Sequence, residues 1–174
     1  MQGGIYMQIL SIDASTKSTG WSIFNNKSLK SYGCITASSP DLIKRITTMI
    51  NELYIILQEN NIQKIILEEV RPEEIKIGSV NNKTYKALMY LQAAITFLIH
   101  EQYPSIDIEY LYPSEWRASC GIKTGKGVVR KELKKQDILF VKKTYNIDVN
   151  DDIADAIGIG HAYLHKEKEG INWA

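Results

Sequence analysis

Asp151, Asp152 and Asp155 place three carboxylates within five residues, at the head of an otherwise apolar helical run (Ala154, Ile157, Ile159, Ala162). At 3.6 residues per turn Asp155 shares a helix face with Asp151 and Asp152, an oxygen-rich edge of the kind hard metal ions bind. Helix capping accounts for part of this pattern, because Asn150, Asp151 and Asp152 supply the side-chain oxygens and negative charge that a helix start favours. Asp155 is different. Its neighbours Ala154, Ala156 and Ile157 belong to a packed helix, where an unpaired carboxylate costs on the order of several kcal/mol. It needs a cation, a hydrogen-bond donor or solvent.

Further acids stand at the ends of apolar strands. Gln8 to Asp13 reads as a short strand closed by an acid, and the turn formers Ala14 to Gly20 follow it. Trp21 to Phe24 alternates with period two; Asn25-Asn26-Lys27 is a tight turn; Leu29 to Thr36 is a third strand, completing an antiparallel meander. Ser38, Ser39 or Asp41 can cap a helix with Pro40 in its first turn, whose apolar residues recur from Leu42 to Leu57. Lys64 to Val70 is then a continuous apolar strand carrying Glu68 and Glu69, as expected of a buried parallel strand reached through a helical crossover. Right-handed crossing places this fourth strand beside the first. Asp13 and the Glu68/Glu69 pair thus meet at the C-terminal edge of the sheet, where open α/β sheets bind ligands.

Beyond it, Arg71 to Asn82 reads as a loop, Thr84 to Glu101 as a helix with a very broad apolar face, and Ile106 to Tyr112 as a fifth strand stopped by Pro113. Ser114 to Gly127 reads as a loop with three glycines, and a basic helix from Val128 to about Tyr145 precedes the acidic one. The expected architecture is α/β: a five-stranded mixed sheet flanked by helices, strands one to three antiparallel, strands four and five parallel to strand one. One domain spanning residues 7–169 is expected, with tails at 1–6 and 170–174.

With 174 residues, 44% hydrophobic and 24% charged, the composition suits one globular domain. No apolar run reaches the length of a membrane span and the first residues lack the pattern of a signal peptide, so a cytoplasmic protein is expected. Cys34 and Cys120 are too few for a disulfide framework and read as reduced packing residues. The net charge of +1 hides an asymmetry: Arg117 to Lys143 holds nine basic residues against Glu132 and Asp137, a segment of +7 in a chain whose remainder is −6. A basic face opposite an acidic pocket follows.

Folding the last helix over the sheet edge would bring its acids onto Asp13 and the strand-four glutamates. Four clustered carboxylates repel one another unless divalent ions neutralise them, and Mg²⁺ or Mn²⁺ prefers such oxygen ligands while keeping water and substrate phosphate in its shell. A pair of ions about 4 Å apart activates water and stabilises the leaving oxygen in phosphodiester hydrolysis. The implied chemistry is that of a nuclease.

Three segments carry a family resemblance: Ile12-Asp13-Ala14-Ser15-Thr16-Lys17-Ser18-Thr19-Gly20-Trp21, Leu67-Glu68-Glu69-Val70 and Asp152-Ile153-Ala154-Asp155-Ala156-Ile157. In order and separation they resemble the acidic motifs of RuvC-type Holliday junction resolvases, over most of the chain from Met7 to about His165. The resemblance implies a ribonuclease-H-like fold, a homodimer, and Mg²⁺-dependent paired nicking of four-way DNA junctions with two ions per site. It also implies that Asp13, Glu68, Asp152 and Asp155 are the catalytic metal ligands, Asp13 being shared between ions. The choice of Glu68 over Glu69, and of Asp152 over Asp151, rests on the resemblance alone. Family members often carry a stacking aromatic soon after the strand-four glutamate; here that place holds Arg71, and Tyr85 or Trp116 would have to replace it. Relatives use lysines after strand five near the scissile phosphate, where Arg117 and Lys126 fall closest. The short, lysine- and isoleucine-rich chain also looks similar to phage-encoded members, which implies no obligatory protein partner.

The expected DNA contacts are Arg71, Trp116, Arg117, Lys123, Lys126 and Arg130, whose phosphate binding would fall steeply with salt. The helix 84–101 is the expected dimer interface, since a two-fold dimer suits the near symmetry of a four-way junction. His161 and His165 have metal-pair spacing, but helix geometry turns His161 about 180° from Asp152 and sets His165 about 15 Å along the axis from Asp155. Both are expected to be packing or surface residues. Three other readings compete: a ribonuclease-H-like nuclease on other nucleic acids, a junction binder without catalysis, and an actin-like ATPase. The opening Ile12-Asp13-Ala14-Ser15-Thr16 resembles the phosphate loop of the last class, which builds its cleft from two such domains where this chain has room for one.

Overall fold

The computed structural model describes residues 7–70, 81–125 and 127–166. Five strands form one sheet: β1 (Gln8–Asp13), β2 (Ser18–Asn25), β3 (Ser28–Thr36), β4 (Lys64–Glu68) and β5 (Asp107–Leu111). Their order is β3-β2-β1-β4-β5, with β1-β2 and β2-β3 antiparallel and β4 and β5 running parallel to β1. This is the sheet the hydrophobic pattern predicts. The helices are α1 (Leu42–Glu59), α2 (Asn81–Gln102), α3 (Pro113–Ser119), α4 (Arg130–Tyr145) and α5 (Asp151–Lys166).

Alternation along β1 divides the core in two. Leu10 and Ile12 point to one face, where α1 contributes Ile46, Met49, Leu53 and Leu57 and α2 contributes Leu91, Ile95 and Ile99. Ile9 points to the other, with Phe24, Ile66, Trp116, Val141, Ile157 and Ile159. Helices α1, α2 and α5 turn apolar stripes to the sheet while α3 and α4 pack on α5, and removal of that surface from water drives the packing.

One helix comes far closer to the sheet than the rest, and small residues permit it. An ideal Cβ on Gly160 of α5 would lie 2.5 Å from Ser11 Oγ and 2.6 Å from the Phe24 ring; one on Gly20 of β2 would lie 1.9 Å from the carbonyl oxygen of Asp152. Beneath the helix the two fully buried hydroxyls satisfy each other, Ser11 Oγ to Ser22 Oγ at 2.6 Å, and Ser22 also donates to the Ala156 carbonyl at 3.2 Å. This contact holds the acid-bearing first turn of α5 over the end of β1.

Two local expectations are corrected. Asp41 is the N-cap of α1, accepting from the Lys44 amide at 3.0 Å, so Pro40 lies before the helix and not in its first turn. The stretch after β5 is not all loop: Pro113 opens α3, and the Glu115 carboxylate reaches back to the Tyr112 amide at 3.1 Å. Proline stops a strand, but it also suits the first turn of a helix, where no amide is needed. Of the loop expected from Arg71 to Asn82, residues 71–80 lie outside the described residues, while Asn81 and Asn82 belong to the first turn of α2. Cys34 and Cys120 are free thiols. Among the described residues, no helix is long and apolar enough to cross a membrane.

Candidate active site

Asp13 is the last residue of β1 and Glu68 the last of β4, on adjacent parallel strands whose preceding residues, Ile12 and Leu67, are in register. Asp152 and Asp155 come from the first two turns of α5, where Asn150 caps the helix by accepting from the Ile153 amide at 2.9 Å. All four acids are half-buried. Burial pushes the Asp13 carboxyl up to about 8, with the charges of Glu68 and Asp152 adding to the rise and Arg117 and Lys134 opposing it. Asp155 is pushed up to about 10, first by burial and then by Asp13 and Asp137. Glu68 is raised by burial against the pull of the Trp116 N–H and Arg117. The charges of Glu68 and Asp152 act on Asp13, while Asp151 forms an ion pair with Lys134.

Each acid except Asp13 has one oxygen taken by a protein donor. Ser18 donates to Asp152 Oδ2 and lies 3.1 Å from the Cys34 thiol. Trp116 Nε1 donates to Glu68 Oε2 at 2.7 Å. Arg117 Nη2 lies 3.4 Å from Asp155 Oδ2 and 3.3 Å from Asp137 Oδ2. Burial disfavours the Arg117 charge, but Asp137, Asp155 and Glu68 outweigh it and raise its pKa.

Among the described residues, no three acidic, imidazole or thiol side chains form a finished metal cage. The donor set nevertheless suits a hard divalent cation. Asp155 Oδ1 is buried with no protein donor, and burial, followed by the charges of neighbouring acids, raises the pKa of Asp13 and Asp155. A cation relieves both costs at once.

The expected DNA contacts divide. Lys123 and Arg130, the latter opening α4, are exposed, and Arg130 stands close enough for its charge to oppose the rise of the Glu68 pKa. Trp116 is corrected: it is 0% exposed inside the core, so its ring has no face for a base. Arg117 is held among three acids, inside the cluster. Arg71 and Lys126 lie outside the described residues. Ser18, Asp137 and Lys134 escaped the sequence reading. Asp137, an acid in a basic helix, proves 1% exposed.

On the far face of α2, Phe97 (67% exposed) and Tyr90 (53%) stand in water with Met89. His161 and His165 lie away from the acids. Their rings stack at 4.0 Å, Tyr145 Oη and His161 Nδ1 share a hydrogen bond of 2.7 Å, and burial followed by His165 lowers His161 to about 4. They are packing residues, as their helix positions predict.

No protein-family profile matches the chain. A crossover junction endodeoxyribonuclease RuvC of Dictyoglomus thermophilum is 26% identical over 167 residues, covering 93% of this chain and 99% of the relative. Among solved structures, Thermus thermophilus RuvC in complex with a Holliday junction substrate superposes with a TM-score of 0.72 at 12% identity, covering 94% of this chain and 97% of that one. The yeast mitochondrial Holliday junction resolvase gives 0.59 at 15% identity, covering 95% and 82%. By sequence the chain is similar to RuvC, and its fold is the ribonuclease-H-like fold of these resolvases.

Proposed function

We propose that this chain is a RuvC-type endodeoxyribonuclease that resolves four-way and related branched DNA in the cytoplasm by paired phosphodiester hydrolysis. The observation that carries the reading is the gathering of Asp13, Glu68, Asp152 and Asp155 at the C-terminal edge of the sheet, in a chain similar to RuvC over nearly its whole length. Two Mg²⁺ ions, with Mn²⁺ as substitute, would supply an activated water and stabilise the leaving oxygen. Asp13, whose two neighbours come from different elements, is the ligand suited to face both ions. Glu68 would hold one side, Asp152 and Asp155 the other. Lys123 and Arg130, with Arg71 and Lys126, would hold the phosphates alongside.

The exposed aromatic face of α2 would pair two protomers and present two sites to opposing strands. An end-labelled four-way junction, incubated with Mg²⁺, Mn²⁺ or chelator beside a matched linear duplex, is expected to show metal-dependent nicks paired across the junction. Binding without cuts in any of these metals would remove the nuclease reading, and unpaired single nicks the dimeric one.

The same cluster gives a pH prediction for the metal-free protein. A carboxyl whose folded pKa lies above its unfolded value binds more protons when folded. Its contribution is therefore complete below about 3.8 and is lost as pH rises through about 8 for Asp13 and about 10 for Asp155. Thermal unfolding in chelator is expected at falling temperature between pH 6 and 9, with stabilisation by Mg²⁺ growing over the same range as metal replaces protons. Unfolding temperatures flat in pH, with a metal effect equally flat, would contradict the cluster's electrostatics.

A further inference from the structure

We propose that Trp116 is a positioning residue for metal binding: its indole N–H holds Oε2 of Glu68, while its ring, seated on Gly158, sets where α5 carries Asp155. This rests on reading the acid cluster as a metal site. Trp116 is fully buried among Ile66, Leu111, Ile122 and Ile157, where any large apolar side chain would serve the packing. An indole brings one feature that a purely apolar chain lacks, a donor. That donor goes to an acid of the cluster at 2.7 Å.

The ring is held just as closely. Gly158 has no side chain, and a Cβ there would meet Trp116 Cζ3 at 2.6 Å, so the indole occupies the space that any other residue would fill. Gly158 follows Asp155 by three residues, within one turn of α5. The next residue of α3 completes the bracket: the Arg117 guanidinium lies 4.3 Å from the centre of the Trp116 ring, and Asp137 helps hold it against Asp155. Two consecutive residues of one short helix thus grip acids from two different elements, β4 and α5. Each engages a single oxygen, so Glu68 Oε1 and Asp155 Oδ1, which no protein donor reaches, remain for a cation. The separation of these two ligands is thereby set from α3.

Partners that orient metal ligands characteristically change metal affinity by about 10- to 100-fold when lost. Trp116→Phe removes the donor to Glu68 together with part of the ring that rests on Gly158, the two contacts through which Trp116 acts. Calorimetric titration of the DNA-free protein with Mn²⁺ is expected to give a dissociation constant raised about tenfold. Junction binding in chelator should stay unchanged, and excess metal should restore the maximal cutting rate. Equal Mn²⁺ affinity in the variant and the parent would overturn the inference and leave Trp116 as packing alone. Failure of the parent protein to bind Mn²⁺ would overturn the metal-site reading and this inference with it. Should Trp116→Phe not fold, the Trp116 indole ¹H–¹⁵N resonance of the parent protein, assigned by Trp21→Phe and Trp173→Phe, decides. The expected result is a shift on Mg²⁺ addition, and a resonance unmoved at saturating Mg²⁺ would overturn the proposal.

Discussion

Asp13→Asn is expected to lower junction cutting by at least about a thousandfold while leaving junction binding in chelator intact, since it removes one ligand of the metal pair on which hydrolysis depends. Asp13 is the acid best placed to matter. It ends the central strand β1, Glu68 and Asp152 raise its pKa from two sides, and among the four it is the one without a hydrogen bond from Ser18, Trp116 or Arg117. Asparagine preserves its shape and removes its charge. Lys123 and Arg130 are untouched, so affinity for the phosphate backbone and its dependence on salt should persist. The same change relieves repulsion, so the metal-free variant should unfold at a higher temperature than the parent near pH 9. Cutting within tenfold of the parent would sink the site assignment, whatever the binding result.

Gly20→Ala is expected to damage both stability and cutting from a position that bears no reactive group. Gly20 pairs with Asp13 across the β1-β2 ladder and lies beneath the first turn of α5. An added Cβ would sit 1.9 Å from the Asp152 carbonyl oxygen and 2.4 Å from its carbon, and both belong to backbone that cannot swing aside. Either α5 lifts or β2 bends, which costs about 3 kcal/mol and lowers the unfolding temperature by about 6–12 °C in a chain of this length. Misplacement of a ligand by about 1 Å lowers cutting by about a hundredfold. Gly33→Ala is the control, since there the new Cβ would meet the Trp21 side chain at 2.7 Å, and a side chain can give. Its effect should be the smaller of the two. Thermal unfolding and single-turnover cutting of both variants would settle the comparison; equal, small effects would mean that α5 does not depend on close approach at Gly20.

Much of this architecture can be read from local pattern. Period-two alternation marks β1 to β3, an unbroken apolar run ending in acid marks β4, and apolar residues at helical spacing mark α1, because each depends on neighbours within a few positions. The acids at strand ends and at the head of α5 are visible for the same reason. Trp116 reads as a DNA contact from sequence because an aromatic in a glycine-rich, basic stretch has the composition of a DNA-contacting loop. Only the capping contact of Glu115 and the absent side chain of Gly158 turn that stretch into a helix with its tryptophan inside.

The sequence alone determined the strand and helix periods, the order of the acidic motifs and the expectation that their charges must be neutralised. Tertiary structure decided which partner each acid takes: Ser18 for Asp152 across 134 residues, Trp116 for Glu68 across 48, Arg117 for Asp155 across 38. Hydrophobic period is a property of adjacent residues and survives in one dimension. Partner choice depends on how closely helices settle onto the sheet, and here the missing side chains of Gly20, Gly158 and Gly160 set that distance.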